Sequence, residues 1–130
     1  MSDLERTMAA SASGMTAQAA RIRLTTENIA NADTPGYRRK TVSFVEVFDG
    51  ARDTRAVATG PVELDRSELV RVYDPGNPLA GPDGSYLGSN VDLVIEIADA
   101  REANRSYEAN LKMFDQARQM AGSLLGLLRR

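Results

Sequence analysis

Residues 27–44 read ENIANADTPGYRRKTVSF, and the character of the chain changes inside them. Thr34-Pro35-Gly36-Tyr37 places Pro at the second position of a turn and Gly at the third, which is what a type II turn requires. Pro35 also disfavours helical backbone at Thr34, so a helix arriving from the N-terminal side stops here. The run that follows, TVSFVEVF at 41–48, is rich in β-branched and aromatic residues and leaves the turn as a strand. Taken alone, Thr-Pro-Gly is a generic turn.

Working outward, all five prolines (Pro35, Pro61, Pro75, Pro78, Pro82) lie between positions 35 and 82. The flanks, Met1 to Asp33 and Val91 to Arg130, contain none, so two long helices enclosing a small β and loop insert are predicted. In the first flank Met1, Met8, Met15, Ile22 and Ile29 fall seven apart, an apolar stripe on one helix face. The stripe is thin: Ser11, Gln18 and Thr25 hold the other expected seam positions, and Gly14 costs about 1 kcal/mol of helix propensity relative to Ala. Small residues at Ala9, Ala10, Ala12, Ala17, Ala19 and Ala20 permit close approach by neighbouring helices.

In the second flank Leu93, Ala100, Tyr107, Phe114, Ala121 and Leu128 repeat at the same interval, with Ile97, Leu111, Leu124 and Leu125 filling in. Asn90 or Asp92 can cap its start, and Arg129 and Arg130 at its end suit the helix dipole. The first helix is about thirty residues and the second about forty, so a hairpin between them leaves a protruding end. Within the insert, Val62 to Leu64 and Leu69 to Tyr73 are further short strand candidates. Asp74 to Gly88 reads as an extended loop with a tight turn at Asp83-Gly84.

Composition narrows the chemistry. The 130 residues carry 16 Lys plus Arg against 18 Asp plus Glu, a formal net charge of -2, which argues against a broad polyphosphate-binding face. There is no Cys and no His, so disulfides, thiolate zinc sites, cysteine nucleophiles and the commonest general base are excluded. No catalytic, cofactor-binding or metal-ligating set is assigned, and no enzyme is expected. Nothing at the N-terminus resembles a cleaved secretory signal, and no stretch is apolar enough to span a membrane. Arg38-Arg39-Lys40 is read as a solvated or intersubunit salt-bridging cluster. Asp74, Asn77 and Asp83 miss the alternating spacing of a calcium loop and are read as turn formers.

The longer strings are more specific than the turn. Ser-Ala-Ser-Gly-Met at 11–15 and Asn28-Ile29-Ala30-Asn31-Ala32-Asp33-Thr34-Pro35-Gly36-Tyr37 resemble the N-terminal signature of the flagellar basal-body rod and hook family. Ser106-Tyr107-Glu108-Ala109-Asn110, inside the C-terminal amphipathic helix, resembles the matching C-terminal signature. Between them, Val72-Tyr73-Asp74-Pro75-Gly76-Asn77-Pro78, Asp83-Gly84-Ser85-Tyr86 and Asn90-Val91-Asp92 resemble the short proximal-rod members. The sister subunit FlgB, the alternative within the family, lacks that loop; a soluble coiled-coil adaptor is the alternative outside it.

That resemblance implies a mainly α fold with a small β-rich insert, its long terminal amphipathic helices forming a coiled-coil-like tube domain. Residues 1–34 and 91–130 would be the two halves of a discontinuous inner tube domain, and 35–90 the outer segment. It further implies a structural subunit of the periplasmic rod, exported by the flagellar type III apparatus without a cleaved signal. Its partners would be other copies and neighbouring rod proteins (FlgB, FlgF and FliE-like), with no nucleic acid. Candidate subunit-interface residues are Met8, Met15, Ile22 and Ile29 on the first helix, with Leu93, Ile97, Tyr107, Leu111, Phe114 and Leu124 on the second.

Overall fold

The first helix, α1 (Asp3–Ala30), begins where a capping box can form: Ser2 Oγ accepts from Glu5 N–H while Glu5 reaches back to the Ser2 N–H. The computed structural model describes residues 2–129. Met1, the first member of the N-terminal stripe, and Arg130 lie outside the described residues. The second helix, α2 (Leu93–Leu128), starts at Asp92, whose side chain accepts from Val94 N–H at 3.0 Å. Asn90, the other candidate cap, is used elsewhere.

The helices pair antiparallel. Asn28 meets Glu96 and Gly14 meets Asn110, and the same interval separates the two contacts on both helices. Continued toward the ends, this register sets Asp3 opposite Ala121 and leaves the last turns of α2 unpaired, the protruding end expected from the lengths. The buried line on α1 runs through Ser11, Gly14, Ala17, Thr25 and Asn28. On α2 it runs through Glu96, Ala103 and Ala117.

The intrachain seam therefore does not follow the large apolar stripes. The positions that looked too polar for a seam, Ser11 and Thr25, are buried in it, while Met8, Met15 and Ile22 are only half-buried. Small side chains explain the choice, because they let the two backbones approach where Met and Ile would hold them apart. Among the described residues the buried apolar side chains are three alanines, Ala17, Ala103 and Ala117; buried Ser11, Thr25, Asn28, Ser85, Ser89 and Glu96 outnumber them. A hydrophobic core does not by itself hold this hairpin, so polar contacts must fix it.

The insert consists of three two-stranded antiparallel sheets. The strand expected over 41–48 is split: β1 (Lys40–Thr41) pairs with β4 (Glu63–Leu64), and β2 (Phe44–Asp49) pairs with β3 (Thr54–Thr59). Lys40 and Thr41 are held beside α1, and the chain changes partner at Val42-Ser43. The third hairpin is β5 (Arg71–Tyr73) with β6 (Ser85–Leu87), so the extended loop expected from Asp74 to Gly88 ends in a strand. The turn before β6 is where it was expected: Gly84 has φ +77° and its C=O accepts from Asp74 N–H. The turn at 34–37 forms too, with Gly36 at φ +75° and Tyr37 N–H donating to the Thr34 C=O at 3.1 Å.

Candidate functional site

Asn28 sits in the last turn of α1 and is 1% exposed. Its side-chain amide is fully used. Nδ2 donates to the Lys40 C=O at 2.9 Å and to Glu96 Oε2 at 3.3 Å. Oδ1 accepts from Lys40 N–H at 2.9 Å and from the Tyr37 hydroxyl at 2.7 Å. One residue thus ties α1 to the start of the insert and to α2. Two turns of chain make this possible: Asn31 ends the helix, its Nδ2 donating back to the Glu27 C=O and its Oδ1 accepting from Thr34 Oγ1. Pro35 and Gly36 then reverse the chain so that Tyr37 and Lys40 return to Asn28.

Arg39 makes the second set of ties. Its Nε donates to Glu96 Oε1, and Nη2 lies 3.0 Å from Asp99 Oδ2. Its Nη1 lies 3.7 Å from Asp65 Oδ2. Arg21 on α1 reaches the same patch, donating to Asp99 Oδ1 at 3.2 Å and Glu102 Oε2 at 3.3 Å. Asn90 Oδ1 accepts from Arg39 N–H at 2.6 Å, and Asn90 Nδ2 donates to the Asp65 C=O at 2.9 Å. Ser89 Oγ donates to the Ala32 C=O. Arg39 and Lys40 are therefore intrachain clamps, not the solvated or intersubunit cluster that the sequence suggested.

The titration behaviour follows. Burial alone would lower Arg39, but the hydrogen bond and charge of Glu96, with Asp99 and Asp65, hold its pKa above the ordinary value. The Tyr37 phenol is raised by burial first and by the Glu27 charge second. Lys40 is raised by its hydrogen bond to Glu27, whose Oε1 is 2.5 Å from Nζ. Asp65 is lowered chiefly by the Ser67 N–H and hydroxyl that donate to it. The donors and acceptors of this cluster face one another, which makes it a brace with no open reactive group. Among the described residues no group of three or more His, Cys, Asp or Glu could hold a metal ion. No helix there is long and apolar enough to cross a membrane.

Midway along the hairpin, a Cβ on Gly14 would lie 2.7 Å from Asn110 Oδ1. Asn110 Nδ2 donates to the Ser106 C=O at 2.9 Å, which holds the amide against its own helix. Tyr107 is half-buried; Glu108 and Ala109 are exposed. So the structure gives Asn28, Asn31, Thr34, Gly36, Tyr37 and Asn110 of the two signatures a local task, while Ala30, Glu108 and Ala109 point outward.

None of the candidate interface residues is fully buried inside the chain. Leu93, Ile97, Leu111 and Leu124 are 47%, 45%, 41% and 52% exposed, and Ile29 is 36% exposed; Tyr107 and Phe114 are half-buried. Glu96, Asp99 and Arg21 are not singled out in the sequence, and Asn90 is read there only as a candidate helix cap and as part of a loop string. One signal was available: Glu96 interrupts the apolar run LVIEIA, and a carboxylate there needs a cation.

Two family models match the parts that carry these contacts. Residues 8–38 match the flagella basal body rod protein model, and residues 83–127 match the C-terminal model of flagellar basal body rod FlgEFG proteins. The flagellar basal-body rod protein FlgC of Agrobacterium fabrum is 45% identical over 124 residues, covering 90% of this chain and 89% of that protein. The chain belongs to the flagellar basal-body rod protein family. FlgC of Escherichia coli O6:H1 is 36% identical over 83% of this chain and 85% of its own length. FlgC of Bacillus subtilis is 32% identical over 85% and 88%. This rod protein is accordingly a FlgC-like structural subunit of the proximal rod and not an enzyme. Asn28 and Gly14 fall in the first matched segment of the rod family, Glu96 and Asn110 in the second.

Proposed function

We propose that this rod protein works as one load-carrying unit of the periplasmic drive shaft. Its helix hairpin (1–34 with 91–130) packs against other copies and neighbouring rod proteins of the FlgB, FlgF and FliE kinds, and its insert (35–90) lies outermost. The observation that carries this reading is the placement of apolar surface. Large residues such as Val94, Met113, Met120, Leu124 and Leu127 are 77%, 49%, 56%, 52% and 62% exposed, while the seam inside the chain is built of small and polar side chains. Exposed apolar area of this extent is stabilised by burial at about 25 cal/mol per Å² once neighbours cover it. Met8, Met15, Ile22 and Ile29, with Leu93, Ile97, Tyr107, Leu111, Phe114 and Leu124, are the residues we assign to subunit contacts. Head-to-tail repetition of such contacts does not close and so grows a helical tube. Delivery follows the flagellar type III route with no cleaved signal, a reading that rests on the family.

The test is electron microscopy of basal bodies from a strain lacking this gene. The membrane ring should remain with the rod and everything distal to it absent, and expression of the chain should restore both. Intact rods and hooks in the deletion strain would refute the assignment.

A further inference from the structure

Each of the two larger hairpins is closed along one edge and open along the other. Val57 on β3 turns its N–H away from β2 and donates to Ser13 Oγ at 3.0 Å, so α1 covers that edge. Val57 stands opposite Glu46, and in an antiparallel ladder the backbone groups of such a pair both point outward. The N–H and C=O of Glu46 are therefore directed to the free edge of β2, and by alternation so are those of Phe44 and Phe48. In the other hairpin the outer edge of β6 is occupied: Leu87 C=O accepts from Gly36 N–H at 3.2 Å and Ser85 C=O from Gly81 N–H at 2.9 Å. Their ladder partners on β5, Arg71 and Tyr73, face outward. Among the described residues no hydrogen bond from another element reaches the outward backbone groups of either free edge.

Open strand edges of this kind invite pairing, and soluble proteins normally blunt them. We propose that β2 of one copy pairs antiparallel with β5 of a second copy, with Glu46 opposite Arg71. This rests on the rod-subunit reading and adds to it a contact outside the helices. The hydrogen-bonding parity matches, because Phe44, Glu46 and Arg71, Tyr73 are the residues with outward groups. In this register Phe44 meets Tyr73, and Val45 and Val47 meet Val72 and Val70, pairs of the kind that stabilise sheets. Charge selects this partner over a second β2, which would set Glu46 against Glu46. Glu46 and Arg71 now pair with Arg55 at 3.4 Å and Asp83 at 2.8 Å. Those exposed bridges are worth little and can be exchanged. Because the two edges differ, the contact is heterologous and continues from copy to copy.

Val47 and Val70, 46% and 58% exposed, fall at a closely spaced site across the proposed seam, where facing Cα atoms lie about 4.5 Å apart. The chain has no Cys of its own. Oxidation of basal bodies purified from a strain carrying Val47→Cys with Val70→Cys should give a ladder of cross-linked dimers and longer multimers on non-reducing gels, and each single variant none. Glu46→Arg or Arg71→Glu in that background should weaken the ladder severalfold by setting like charges opposite each other, and the two together should restore it. Both side chains are exposed, so helix content by circular dichroism should not move. Basal bodies that contain the chain but yield no ladder would overturn the strand pairing and leave the rod reading intact. A dimer from Val47→Cys alone would overturn it in favour of β2 pairing with itself. Basal bodies without the chain would overturn both readings.

Discussion

Gly14 and Asn110, one from each terminal signature, touch across the helix hairpin so closely that a Cβ on residue 14 would lie 2.7 Å from Asn110 Oδ1 and 2.9 Å from its Cγ. The Gly in the middle of α1, unfavourable by helix propensity, is explained by its neighbour and not by backbone conformation.

A sign reversal tests this. Gly14→Ala should lower the melting temperature, because the Asn110 amide must leave its bond to the Ser106 C=O. In an Asn110→Ala background the same change should raise stability by about 1 kcal/mol, the ordinary propensity gain of Ala over Gly. Thermal melts of the four proteins in the cycle give the answer.

Removing the Asn28 amide strips partners from the Lys40 backbone, the Tyr37 hydroxyl and Glu96 at once. Asn28→Ala should cost about 2–3 kcal/mol, in line with leaving buried polar groups unsatisfied. It should also loosen the insert before the helices, seen as faster amide exchange at Lys40 than at Ala103.

Glu96 is 0% exposed and depends on Arg39 for its countercharge. Arg39→Met should destabilise by about 3–5 kcal/mol by leaving a buried carboxylate unpaired. Arg39→Met with Glu96→Leu should recover most of that loss in urea unfolding, because the charge to be buried is gone.

The pH dependence has two limbs. Tyr37 and Lys40 have folded pKa values above their ordinary 10.0 and 10.5, so their contribution is complete below about pH 10 and is lost as pH rises through the folded values. Asp65 and Asp83 are depressed below 3.8, Asp83 mainly by the Ser85 hydroxyl and N–H, so their contribution is present above that value and lost as pH falls through the folded ones. Tyr37 should ionise above the ordinary phenol range in an ultraviolet titration, and Tyr37→Phe should remove that step.

Much of the architecture was legible in the sequence because Pro and Gly punctuate it: the left-handed Gly36 and the Asp83-Gly84 turn lie where local chemistry put them, and α1 stops at Ala30, one turn ahead of the break expected at Thr34. The seam was not legible. Periodicity selects the large residues, Met8, Met15, Ile22 and Ile29, whereas the chain pairs with itself through Ser11, Gly14, Ala17 and Thr25, whose value lies in being small. Strands β3 and β6 were missed because TRAVAT leans on two alanines and SYL is three residues long, weak signals until a partner strand is known. The Arg39–Glu96 clamp joins residues far apart in the chain, which no local pattern can report.

The central claim is that the apolar face of α2 is exposed in the single subunit and covered in the rod. Leu124→Cys places the only thiol of the chain on that face, 52% exposed in the isolated chain. A maleimide reagent should label it rapidly in the purified subunit and at least tenfold more slowly in purified basal bodies. Equal labelling in both would contradict the account.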